Sequence, residues 1–129
     1  MRQHLWRAIL NLVVLAVAAH SIALGTAILF FPVRTLGVVG WGYSGQVFWP
    51  SQAGLFLLIM GTAYAAAIRL PALVWLVIGS KASAFAFLLI SAMWMDAPRI
   101  VALLACGDGL MGLAVAIAFW GAKRAEALR

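Results

Sequence analysis

Three features of the sequence predict an all-α membrane protein, an antiparallel bundle of four transmembrane helices built from a single domain, residues 1–129. The chain is 67% hydrophobic and 9% charged, with mean hydropathy +1.11. Soluble domains are about half apolar and about a quarter charged, so this composition belongs in lipid. The apolar residues fall into four runs, about 5–31, 51–69, 72–95 and 99–120, each near the roughly 20 residues that a crossing needs. The Lys and Arg residues lie mostly at the ends of those runs. A net charge of +6 and a pI near 10.9 would suggest nucleic acid in a soluble protein, but at these positions it is a mark of membrane topology. The expected surroundings are therefore the lipid bilayer, with no nucleic-acid partner.

The first run opens with Arg2 and Arg7. Ala16-Val17-Ala18 has the small-x-small form of a signal-peptidase site, but the apolar stretch continues far beyond a signal-peptide core of about 7–15 residues, which favours a retained helix. Pro32 is expected to end it. From Pro32 to Pro50 the chain carries Gly37, Gly40, Gly42 and Gly45 among Trp41, Tyr43, Phe48 and Trp49. Glycine discourages regular helix, and Trp and Tyr favour the headgroup layer, so an aromatic, glycine-rich loop on the membrane surface is expected between helices one and two.

In helix two, Gly54, Gly61 and Ala65 share one face and allow a close neighbour. Arg69-Leu70-Pro71 makes a tight reversal, and Asp96-Ala97-Pro98-Arg99 makes the next, with Pro98 suited to the first position of a helix. Tyr64 and the tryptophans Trp75, Trp94 and Trp120, near run ends, read as interfacial anchors. Arg2, Arg7, Arg69, Lys123, Arg124 and Arg129 fall on one side and Arg34 and Arg99 on the other. The positive-inside rule then places both termini in the cytoplasm of a bacterial inner membrane, with the aromatic loop facing outward.

Lys81 and Asp108 each put a full charge in the middle of an apolar run, where an isolated charge costs several kcal/mol (about 3 on insertion scales). Lys81 stands ten residues past Pro71 and Asp108 ten past Pro98, so each is about 15 Å from its own boundary of a core about 30 Å thick. They should meet at the midplane as an ion pair between helices three and four, with Ser80 and Ser83 alongside. Gly107, Gly109 and Gly112 leave room for the lysine stem. His20, at a depth of about 20 Å, is a candidate third member; Asn11, nine residues earlier, is on the opposite face and is excluded. The pair has two readings, a structural staple or part of a ligand or proton site. For His20 the plainer alternative is a packed histidine bonded to a backbone carbonyl.

Sharper chemistries find little support. Haem would need two opposed ligands, and only His20, with Met60 as a weak partner, lies in the membrane. Zinc-ligand spacings, phosphate-binding glycine loops, a Ser-His-Asp order and paired carboxylates are all missing from the sequence. Cys106, the single cysteine, reads as a small packing residue. No metal or cofactor is assigned.

Phe31-Pro32, Gly61-Thr62-Ala63-Tyr64-Ala65-Ala66-Ala67, Gly79-Ser80-Lys81 and Gly107-Asp108 together resemble small bacterial four-helix membrane proteins of the broad DoxX-like kind. The resemblance implies an inner-membrane four-helix bundle and carries no reaction with it. Related proteins often have asparagine before the helix-four acid; Gly107 here removes that polar group. The leading expectation is a binder of an amphiphile such as a lipid or quinone at Lys81, Asp108 and His20, or a membrane subunit of a complex. The alternative is an oligomeric small transporter or proton-coupled carrier in which Asp108 titrates; an intramembrane enzyme with Lys81 or His20 as base has least support. The small-residue faces Ala18/Gly25 and Gly54/Gly61 offer a route to a homo-oligomer.

Overall fold

The computed structural model describes residues 2–42 and 45–127; Tyr43 of the expected loop and the basic Arg129 lie outside them. Every regular element among the described residues is helical: α1 (Arg2–Phe30), α2 (Pro32–Val38), α3 (Phe48–Ala66), a 3₁₀ turn (Pro71–Leu73), α4 (Val74–Trp94) and α5 (Ile100–Ala127). Three stretches are long and apolar enough to cross a membrane: Gln3–Phe30, Pro71–Trp94 and Ile100–Ala127. α3 is shorter, at 19 residues, and Pro50, Ser51 and Gln52 dilute its first turns.

The segment after α1 differs from the expected loop. Pro32 does end α1, because it has no N–H to continue the ladder, but it also opens α2, where that missing donor costs nothing. The Thr35 hydroxyl straddles the break, lying 3.0 Å from the Ala27 carbonyl and 2.9 Å from that of Phe31. Gly40, at φ +71°, closes α2. Its N–H reaches the Gly37 carbonyl at 3.0 Å and the Trp41 N–H reaches that of Leu36 at 2.9 Å, the two bonds of a Schellman cap. This glycine therefore finishes a helix that lies within the expected loop.

α1 packs chiefly on α3 and then on α5, and α4 packs on α5, while α3 and α4 touch little beyond their short connection. The α1–α3 seam is set by glycine. A Cβ on Gly25 would lie 2.6 Å from Leu58 N, one on Gly54 would lie 2.5 Å from Leu29 N, and one on Gly61 would lie 2.9 Å from Ile22 N. Only glycine lets these backbones approach so closely, which is how membrane helices gain dispersion contacts where lipid removes the hydrophobic drive. The faces that suggested self-association are thus used within the chain.

The shared apolar core occupies one half of the molecule, toward the end that carries Arg7 and Lys123. It comprises Val14, Val17 and Ala18 of α1, Tyr64 and Ala67 at the end of α3, Val74 and Val77 of α4, and Val115 and Phe119 of α5. Tyr64 is therefore a core residue, 3% exposed, and not the interfacial ring its position suggested. Trp75 does sit at that end, edge-on to Phe119 and Trp120.

Candidate functional site: the polar layer above the core

One helical turn beyond the core the apolar packing gives way to polar groups. Lys81 follows Val77 by four residues, Ser21 follows Val17 by four, and Asp108 precedes Met111 by three, so each stands one turn past a core residue on its own helix. The Lys81 ammonium donates to Asp108 Oδ1 at 2.5 Å. Its stem lies against Gly112, where a Cβ would come within 3.0 Å of Lys81 Cβ, so glycine on α5 makes room for lysine on α4. Gly109 similarly receives the Phe85 ring, at 2.9 Å from its would-be Cβ. The two ends of the pair differ in access: the Lys81 side chain is 4% exposed and that of Asp108 is 17% exposed.

A second polar contact joins α3 to α4. The Ser80 hydroxyl, with a single hydrogen, is 2.7 Å from the Leu76 carbonyl and 3.1 Å from that of Val77. With that hydrogen committed, the Tyr64 hydroxyl donates to Ser80 Oγ across 2.6 Å. Tyr64 thus anchors the layer from below, a role concealed in the sequence by its nearness to Arg69. Ser21 Oγ is fully buried and has no hydrogen-bond partner among the described residues.

His20 is not brought to the pair. It is exposed on α1, outside the buried stripe Val14, Val17, Ser21, and makes no hydrogen bond or ion pair with Lys81 or Asp108. Asn11 is exposed and lines a separate cavity at the basic end. Ser83 is also exposed. Cys106 is a free, exposed thiol and not a packed residue; it borders an open apolar groove of about 630 Å³ running over α4 and α5, with Phe85 and Leu110. Among the described residues no three His, Cys, Asp or Glu side chains are grouped to hold a metal ion.

The layer's charges cancel: one ammonium and one carboxylate share a proton-donating contact, leaving the second carboxylate oxygen as an acceptor. Such an arrangement offers hydrogen bonding to a polar group without a net charge to attract an ion. Comparison with protein-family models, characterised proteins and solved structures gives no match.

Proposed function

We propose that this is an integral membrane protein in which α1, α3, α4 and α5 all cross the bilayer, antiparallel in chain order, and that its polar layer binds the head of an amphiphile of the lipid or quinone type. Support for α3 as the fourth crossing comes from Leu55, Phe56 and Ile59, all exposed, which form a surface suited to acyl chains. A 19-residue helix is about 28 Å long, close to the hydrocarbon thickness.

The observation that carries the binding reading is the partial exposure of Asp108 at the level where the four-helix core stops. A pair kept only to fix helix register would be best shielded on both sides; here the ammonium is shielded and the carboxylate is reachable. An amphiphile entering between the loosely joined α3 and α4 meets an apolar wall for its tail and a hydrogen-bond acceptor for its head. The small bundle has little interior volume, which favours binding over turnover.

The test is to purify the full chain from native membranes and identify retained small molecules by mass spectrometry, alongside a Lys81→Met/Asp108→Leu double variant. The reading expects a folded double variant stripped of the amphiphile that the natural chain retains. A double variant that folds and keeps the same molecule would reduce the pair to a staple. Proton release on ligand-free proteoliposomes under a pH gradient, lost in Asp108→Asn, would instead favour the carrier reading.

A further inference from the structure

At the basic end, away from the polar layer, α1, α5 and the α3–α4 connection enclose a cavity of about 270 Å³. Its rim carries Arg7, Asn11, Lys123 and Glu126, and its depth is apolar, with Leu10 and Phe119. Arg7 is engaged: its Nε and Nη2 donate to Glu126 Oε1 at 3.0 and 2.7 Å. Lys123 is not paired with any carboxylate among the described residues; its ammonium lies 4.9 Å from the centre of the Phe119 ring. The rim's charges are thus two positive and one negative, a surplus of one positive charge held over an apolar recess.

From this charge pattern we infer that the cavity is a binding site for one anionic phospholipid of the adjoining leaflet. A phosphodiester brings the single negative charge that the rim lacks, and Asn11 adds an amide donor. The rim belongs to the first turns of α1 and the last turns of α5, where headgroups lie, and the apolar recess takes the glycerol backbone and first methylenes. A free phosphate would meet the cations but leave the apolar walls unfilled. Glu126 opposes the headgroup and occupies two of the donors of Arg7, so it sets the affinity below what two free cations would give.

The experiment uses the full chain in dodecyl maltoside, with bound dioleoylphosphatidylglycerol or dioleoylphosphatidylcholine counted by native mass spectrometry. The expected preference for the anionic lipid is about fivefold, the effect of one cation near a membrane surface. Lys123→Gln should bring the two lipids to equal affinity. Glu126→Gln, which releases Arg7, should raise phosphatidylglycerol affinity about fivefold and leave phosphatidylcholine unchanged. Lys123 and Glu126 are exposed, so both variants should fold. Equal affinities in the natural chain, a preference that survives Lys123→Gln, a Glu126→Gln variant that binds the anionic lipid no better, or displacement of the lipid by equimolar glycerol 3-phosphate would each overturn the inference.

Discussion

Lys81 and Asp108 illustrate how strongly lipid constrains individual residues. Neither charge can be left alone at this depth, so each depends on the other, and a single truncation strands a buried ion. Lys81→Met and Asp108→Leu should each lower stability by about 3–5 kcal/mol, while the double variant should recover most of that loss. Chemical unfolding in detergent, arranged as a double-mutant cycle, measures the coupling; additive losses would show that the two groups do not depend on one another. Tyr64→Phe is milder. Ser80 keeps its bond to Leu76, so only one hydrogen bond is lost, at about 1 kcal/mol by the same assay. His20→Ala should change stability by less than about 0.5 kcal/mol, because the ring is exposed and bonds neither charge.

Among the elements, α1 and α3 form the tightest unit, and its fit depends on what glycine lacks. A methyl group at Gly25 would meet the backbone of Leu58 and Gly54, and backbone cannot turn aside as a side chain does. Gly25→Ala should therefore cost about 1–3 kcal/mol by overpacking. Gly79→Ala is the matched control: a Cβ there has nothing within 4 Å, and replacing glycine inside a helix should be neutral or stabilise by up to about 1 kcal/mol. Thermal unfolding of the two variants side by side decides the point, and similar midpoints would mean that the seam is not tight. α2 teaches a different lesson. Its Pro32 start and Gly40 stop are both present in the sequence as standard helix punctuation, but four glycines in a short aromatic stretch read as loop, and the signal from composition hid the signal from position.

Over the whole molecule, large apolar side chains are exposed on every long helix, among them Leu12, Phe56, Phe87 and Leu103. Such a surface is stable against acyl chains and would aggregate in water. If all four long helices cross, position 42 and position 69 lie on opposite sides of the membrane. In a Cys106→Ala background, Gly42→Cys should react with an impermeant maleimide from outside intact cells and Arg69→Cys only after permeabilisation. Labelling of both from the same side would remove α3 from the membrane.

The hydropathy of the chain, the apolar lengths of its runs and the placement of its cations were sufficient to assign it to lipid, to pair Lys81 with Asp108, and to locate the long helices to about three residues at every end but one: α5 continues to Ala127, through Lys123 and Arg124, where the apolar run stops at 120. These follow from large penalties, because water rejects the apolar surface and lipid rejects a lone charge. The inward face was legible only where a residue type marked it, at Gly54 and Gly61 and at the two charges; for the rest of the helical surface it was not. Lipid tails and a protein interior are equally apolar, so helices hydrophobic all round carry little periodic signal for packing. Folding in three dimensions therefore settled what small differences in shape could select: the burial of Tyr64, the exclusion of His20, the use of Gly25 and Gly54 against each other, and a core that fills half the bundle and ends at the carboxylate of Asp108.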